Sequence, residues 1–388
     1  MTERLYYTDA RLTRFSAKVV AADGPRVTLD RSAFYPTSGG QLHDTGSLGG
    51  RRVVDVIDDG DVVAHMLDEA VGASVGDTIE GVVDWPRRFD HMQQHTGQHL
   101  LSAVFDDLYG AKTVSVHFGA ESATLDLDAA PFSNERIVKA ELRANAVIAE
   151  NRPVTVTFED AATATGLRKP SDRDGTIRVV TIADADRSAC GGTHVAATGE
   201  IGALTIRRVE KYKQGCRVEF RCGARALARA RADYQMLADI ASGLTAGIDE
   251  LPTLIASKTA ELDAVLTSRK KLAETVAGFR ARELCDAATP DVTGVRRVVA
   301  VADDADGLRA LAQACAALPK VLFAGTCASP PTIVIAASDD SGANAGALLK
   351  PALAAVGGRG GGSPRLAQGT APSADALAGV ASAVVGAS

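Results

Sequence analysis

Over the first 85 residues the apolar side chains come in short, Val- and Ile-rich bursts that Gly, Asp and Pro cut off. AKVVAADGPRVTLDR (17–31), RRVVDVIDDGDVVAHMLD (51–68) and DTIEGVVDW (77–85) are the clearest. Short strands at regular spacing, split by turn residues, predict a small β-barrel over 1–86. Within it, FYPTSGGQLHDTG (34–46) is a glycine-dense loop longer than one hairpin turn requires. The pattern then changes: RRFDHMQQHTGQHLLSAVFDDL (87–108) reads as a helix.

A mixed region follows, with strands near 113–127, 153–159 and 176–182 and a helix near 133–150. LTIRRVEKY (204–212) and the segment around 216–220 are expected to pair as a hairpin. The alternation has no βαβ period, so an α+β domain is predicted over 87–223. From 224 to 290 two helices are expected. In the second, Ile255, Lys258, Leu262, Val265, Arg269, Leu272, Val276 and Phe279 fall at three- and four-residue steps. That is a heptad seam, which a turn around 243–252 would fold into an antiparallel hairpin or coiled coil. Residues 291–388 alternate strands with Ala-rich helices, as a small α/β domain would, and carry a glycine-rich loop at 357–365. The whole reads as a multidomain α+β chain.

Composition narrows the class of function. The 388 residues carry 42 basic and 48 acidic side chains, a net charge of −6. No apolar run approaches the ~18 residues of a spanning helix, and MTERLYYTDARLTRF lacks the apolar stretch of a signal peptide. A cytoplasmic protein without a membrane partner is expected. Six cysteines are too few for a disulfide scaffold. Cys285, Cys315 and Cys327 sit singly among Ala and Leu and read as small core residues, whereas Cys190 is followed by two glycines and, at 194, a histidine.

His95 and His99, four apart on the predicted helix, share one face. Cys190 and His194 repeat the spacing. Three nitrogens and one sulfur suit tetrahedral zinc; the bland alternative is two surface histidines and a glycine turn with a buried thiol. HTGQH lacks the glutamate of HExxH, so a metalloprotease is not expected.

QQHTGQHLLSA (93–103) and ADRSACGGTHVAATGEIG (185–202) resemble the editing domain shared by alanyl- and threonyl-tRNA synthetases. FYPTSGGQLHDTG resembles the glycine-rich motif that precedes it, and GGRGGGSPRLAQGT (357–370) the terminal DHHA1-type domain. In this order the four motifs are similar to the free-standing alanyl-tRNA editing proteins, the AlaX group, in their long form. The resemblance implies a hydrolase that removes serine, or glycine, from mischarged tRNA(Ala). It implies zinc on His95, His99, Cys190 and His194, leaving open whether zinc activates water or orients substrate. It places Thr37, Ser38, Gly39, Gly40 and Gln41 near the substrate, and Ser115 and His117, with Gln98, near the metal. An editing site that hydrogen-bonds the serine hydroxyl would reject alanine, which leaves that polar group unpaired. With the barrel starting close to Met1, aminoacylation is not expected. Asp90-His91-Met92 does not match the Asp-His-His of DHHA1 phosphoesterases. The other readings are a tRNA-binding or oligomerisation protein with an inactive site, and a generic metal-dependent esterase.

For RNA, residues 207–231 hold nine basic and two acidic side chains; phosphate contact and a solvated helix face are the two readings. Arg359 and Arg365 are further phosphate candidates, and the C-terminal region is a candidate homodimer surface.

Overall fold

The computed structural model of the chain describes residues 1–168 and 174–386. The chain divides into two compact units, Met1–Gly243 and Leu244–Ser388. The first opens with β1 (Glu3–Arg4), β2 (Arg14–Asp23), β3 (Arg26–Leu29), β4 (Arg31–Ser32), β5 (Gly46–Leu48), β6 (Arg51–Asp59), β7 (Val62–Leu67) and β8 (Thr78–Val83). Six pair in the order β2-β3-β7-β6-β5-β8, and β8 returns to β2 to close a barrel. Along β2 the period of two sends Phe15, Ala17 and Val19 inward, against Val27, Leu29 and Val53. A methyl on Gly81 would lie 2.4 Å from the Phe15 ring, so glycine there makes room for the aromatic. His65 is also sealed in the barrel: its Nδ1–H donates to the Val27 carbonyl (3.1 Å), which leaves Nε2 to accept from the Ser32 hydroxyl (2.7 Å).

Helix α1 (Trp85–Tyr109) begins with proline in its first turn and ends at Gly110, which has a left-handed φ of 65°. Every residue from His91 to Phe105 on it is buried, so the helix has no solvent face through its middle. Most of its polar side chains are paired, the His91 Nδ1 being an exception. Gln94, for one, donates to the Cys222 carbonyl (3.1 Å) and accepts from the Cys222 N–H (2.9 Å). Around α1 lie β9 (Thr113–Phe118), β10 (Ala123–Leu127), α2 (Asn134–Ala149), β11 (Val154–Asp160), β12 (Thr176–Ile182), β13 (Asp186–Ala189), β14 (Leu204–Tyr212) and β15 (Gly215–Cys222). They form sheets β14-β15-β10-β9 and β11-β12-β13. Leu100, Leu101 and Phe105 of α1 meet Leu125, Val218 and Phe220 in one core. The unit ends with α3 (Gly223–Gly243).

One ion pair joins α1 to the loop between β4 and β5. Arg88 and Asp44 are fully buried, and the Arg88 Nε sits 3.1 and 3.0 Å from the two Asp44 carboxylate oxygens. The rest of the guanidinium donates to the Ala10 (2.7 Å) and Ala33 (2.5 Å) carbonyls, and Asp44 also accepts from the Tyr35 N–H (2.7 Å).

The second unit contains α4 (Leu251–Ala287), β16 (Arg296–Ala302), α5 (Ala305–Ala316), β17 (Val321–Ala328), β18 (Pro331–Ala337), α6 (Ala345–Ala354), β19 (Arg359–Gly362), β20 (Leu366–Thr370) and α7 (Ala374–Gly386). Its sheet runs β16-β17-β18-β20-β19, and only β16–β17 is a parallel pair. The α/β expectation is refined to a mixed sheet, because the connection between β17 and β18 is too short for anything but an antiparallel hairpin. The glycine-rich stretch is not a loop: residues 359–362 form edge strand β19. A methyl on Gly360 would lie 2.6 Å from the Gln368 carbonyl, and one on Gly362 2.3 Å from that of Leu366.

Helices α3 and α4 fall in different units, because the last turns of α4 put Ala281 and Cys285 into the core of the second unit. The seam is exposed at Ile255, Leu262, Val265, Leu272, Val276 and Phe279. Among the described residues, no helix is long and apolar enough to cross a membrane.

Removing one partner of a buried pair strands the other's charge, so Arg88→Met is expected to cost about 3–5 kcal/mol, read from the urea midpoint. Burial pushes the His65 imidazole down to about 4, with the Val27 hydrogen bond acting against the shift. The unfolded chain takes up this proton near pH ~6.5 and the folded chain only near ~4. Stability from His65 is therefore complete above pH ~6.5 and is lost as pH falls toward ~4, a change of a few kcal/mol. His65→Gln should flatten the dependence of the urea midpoint on pH across that window.

Candidate metal centre

Helix α1 supplies His95 and His99, and the turn after β13 supplies Cys190 and His194. Their four ligand atoms lie within 4.8 Å of one another. The Cys190 Sγ is 3.4 Å from the His95 Nε2 and 3.3 Å from the His194 Nε2. A tetrahedron with bonds of ~2.0–2.3 Å has edges of about 3.3–3.6 Å, so the spacing fits a zinc-sized ion.

Each imidazole is held by its other nitrogen. The His95 Nδ1–H donates to the Gln41 carboxamide oxygen (2.8 Å), which also accepts from the Thr193 N–H (3.2 Å), while the Gln41 amide donates to the Thr193 hydroxyl (2.9 Å). The His99 Nδ1–H donates to Asp186 (2.9 Å). The His194 Nδ1 meets the Thr96 hydroxyl at 3.1 Å. All three rings thus present Nε2 to one point.

Three further features shape the turn. Arg178 donates to the Cys190 (2.7 Å) and Gly192 (2.9 Å) carbonyls. The Gly192 N–H points at the Cys190 sulfur (3.4 Å). A methyl on Gly192 would stand 2.1 Å from the His95 ring, whereas one on Gly191 would meet nothing closer than 3.6 Å. Glycine at 192 is therefore required for space beside His95.

The electrostatics suit a cation. Burial opposes ionisation of the Cys190 thiol, but His95 and His194 overcome it and hold the thiol well below its usual range, as a thiolate. Burial drives the His194 imidazole down to about 3, in the neutral form that ligates. For His99 burial is outweighed by Asp186, which holds the ring up at about 9; in return, and again against burial, Asp186 is held at about 2. That pair is a carboxylate–histidine brace of the kind that raises ligand basicity.

The glycine-dense loop reaches this centre through a tight turn. Ser38 and Gln41 exchange backbone hydrogen bonds of 3.0 and 2.9 Å across Gly39 and Gly40, whose φ values are +57° and +86°. Two positive φ values in a two-residue turn demand glycine or a near substitute. The turn delivers Gln41, fully engaged, to His95. Two clefts meet the cluster at Gly39, His95, Cys190 and Gly191. One, of about 510 Å³, runs along the barrel past Tyr6, Tyr7, Tyr35 and Ser38. The other, of about 350 Å³, passes Gln98, Thr113, Ser115, Val116, Arg168 and Ser188.

The remaining sequence candidates divide between the clefts and other surroundings. Thr37 is exposed, with its hydroxyl against the His43 Nδ1 (3.2 Å), and lines neither cleft. Gln41 holds a ligand instead of facing substrate. Ser115 lines the smaller cleft but donates to Asp126 (2.6 Å). His117 is exposed, on the opposite face of β9 from Phe118, whose ring packs 5.0 Å from that of His95. Gln98 lines the smaller cleft and donates to Ser102 (2.8 Å). In the second unit, Arg359 lines a separate cleft of about 390 Å³, and Arg365 pairs with Asp339 (3.1 Å).

Four of the nine basic residues in the stretch 207–231 meet carboxylates from outside it. Arg207 and Arg229 share Asp233, Arg217 binds Asp126, and Arg225 binds Asp90. Within it, Arg208 meets Glu210 and Arg221 meets Glu219.

The family model described as the threonyl and alanyl tRNA synthetase second additional domain matches residues 177–219. The one described as tRNA synthetases class II (A) matches residues 6–87, the barrel and its exit into α1. Fold and site together define an accessory domain of the tRNA-synthetase type. An alanyl-tRNA editing protein AlaX-M of Methanosarcina mazei is 34% identical, over 57% of this chain and 96% of its own length. AlaX-L of Pyrococcus horikoshii is 35% identical, over 59% of this chain and 60% of its own. The chain belongs to the alanyl-tRNA editing protein family. An alanine–tRNA ligase of Methanoregula boonei is 33% identical over 97% of this chain, which spans 42% of that ligase's length.

Gly192→Ala is expected to displace His95 and reduce bound metal at least ~10-fold, as loss of ligand orientation does. Gly191→Ala should bind metal as the wild type does. Metal content of the two purified variants, by plasma emission spectrometry, checks both.

Proposed function

We propose that the chain is a zinc-dependent trans-editing hydrolase, cleaving the ester that joins serine, or glycine, to the 3′ end of tRNA(Ala). The observation that carries this reading is the convergence of three oriented Nε2 atoms and a thiolate at the junction of two open clefts. Four protein ligands are what a structural zinc site uses, but here two clefts open onto the cluster, so a substrate can reach an ion that expands to five-coordinate. Zinc bound there supplies a Lewis acid at the scissile ester.

The protein's own groups orient the reactants. Gln41, Asp186 and Thr96 hold the imidazoles, Arg178 and Gly192 hold the Cys190 turn, and the clefts on either side admit the two arms of the ester. Polar side chains stand in both walls, Ser38 in one and Gln98 and Thr113 in the other. A hydroxyl of the substrate that satisfies one of them distinguishes serine from alanine, because alanine leaves the group unpaired. The proposed partner is mischarged tRNA(Ala), and the proposed setting is the cytoplasm.

Deacylation of seryl-tRNA(Ala) beside alanyl-tRNA(Ala), by metal-loaded and chelated protein, tests the reading. Loss of serine with alanine spared is expected, abolished by chelation and by Cys190→Ala with His194→Ala. Protein holding equimolar zinc yet hydrolysing neither substrate would overturn it, in favour of a tRNA-binding protein with an inactive site.

A further inference from the structure

His99 is not the only partner of Asp186. The Asp186 side chain is fully buried; one carboxylate oxygen accepts from the His99 Nδ1–H (2.9 Å) and the other from the Arg168 Nε (2.6 Å). The Arg168 Nη2 also donates to the Ser188 hydroxyl oxygen (3.1 Å), and that hydroxyl reaches both Asp186 oxygens (3.1 and 3.0 Å). Arg168, Ser188 and Asp186 thus close a ring of hydrogen bonds one step behind a metal ligand.

The backbone brings Arg168 to this ring from outside the sheet. Strand β13 is an edge strand, paired with β12 alone. The Arg168 N–H donates to the Arg187 carbonyl (2.8 Å), and the Arg187 guanidinium binds the Thr165 carbonyl and Glu159. The chain is tied to β13 by these bonds, so the tie itself does not need the Arg168 side chain. That side chain instead lines both the smaller cleft at the cluster and an outer cleft of about 690 Å³ that touches no metal ligand. Neither family match includes residue 168. A carboxylate held by one oxygen can rotate about its own bond and offer an imidazole either oxygen. A charged, fork-shaped donor on the second oxygen fixes its plane.

We propose that Arg168 is a positioning residue for the metal: it fixes the plane of the Asp186 carboxylate and, through it, the aim of the His99 Nε2. This rests on the metal half of the proposed function and not on the substrate. It extends the support of the site to a third rank of side chains, and to a segment that joins β11 to β12.

Binding of cobalt(II) to the metal-free full chain tests this, because the visible absorption of that ion reports its geometry and its thiolate ligand. Arg168→Met is expected to weaken cobalt about 10-fold, the lower end of what losing an orienting partner costs, and to shift the absorption bands. Arg168→Lys keeps the charge and one bond to Asp186, and should restore the wild-type bands and most of the affinity. Ser188→Ala opens the same ring without removing a charge, and should weaken cobalt about 2- to 10-fold even if Arg168→Met does not fold. Asp186→Asn should weaken it about 10- to 100-fold. Adding Arg168→Met to Asp186→Asn should change the affinity no further, because the arginine then has no carboxylate to hold. Wild-type affinity and bands in a folded Arg168→Met protein that merely melts lower overturn the proposal and leave an ordinary ion pair. A further ~10-fold loss on top of Asp186→Asn does the same. Wild-type protein that binds neither cobalt nor zinc removes the metal reading and this inference with it. Cobalt bound as expected by a protein inert toward seryl-tRNA(Ala) keeps the inference and refutes the editing reading.

Discussion

The buried pair of Arg88 and Asp44 fixes the relation on which the metal centre depends. Arg88 lies two turns before His95 on α1, and Asp44 lies three residues after Gln41 in the loop leaving the barrel. Locking the two charges together, with the Ala10, Ala33 and Tyr35 backbone completing their hydrogen bonds, sets the loop against the helix at one register. Gln41 then meets His95 and no other ring. A buried ion pair is weak evidence for net stability, because desolvation offsets much of the attraction. Its value here is geometric: a hydrophobic pair could glue loop to helix, but would not define their relative position so sharply.

From this contact the site is built outward by hydrogen bonds that leave each ligand one orientation. The side chains that hold the ligands come from four places: the loop (Gln41), α1 itself (Thr96), β12 (Arg178) and the start of β13 (Asp186). Because α1 is buried through its middle, its histidines do not sample solvent-facing rotamers, and burial keeps the His194 imidazole opposite them in the neutral form. The cluster is thus organised by the fold, which is the condition for a metal site that stays open on two sides without losing its shape.

The pairing of His95 with His99 and of Cys190 with His194, the four side chains that the structure gathers at one point, was legible from their i and i+4 spacing. The strand-rich start, α1, α2 and the 204–222 hairpin were legible from periodicity. The residues that orient the ligands were not. Asp186 lies four positions before Cys190 and Thr96 directly after His95, but nothing local says which ring each will hold. Arg178 and Arg88 looked like ordinary basic residues, because burial of a charge is decided by tertiary packing alone. Glycine misled in the second unit. The 357–365 stretch reads as loop by composition, but 359–362 is a strand in which Gly360 and Gly362 have no room for a side chain. At 192 the missing side chain serves the space beside His95 rather than an unusual backbone angle. The basic run at 207–231 meets carboxylates brought by β10, α1 and α3, which linear counting does not see.

The turn at Gly39 and Gly40 ties the barrel to a ligand that lies on another part of the chain. The two family signatures fall on separate segments, 6–87 and 177–219, and invite the picture of two modules joined end to end. The Gln41–His95 bond makes them one inheritable unit: a copy of the editing fold without its barrel would keep all four ligands and lose the alignment of the first. Shuffling between proteins would therefore be expected to carry both segments or neither, with the boundary of exchange lying outside the pair.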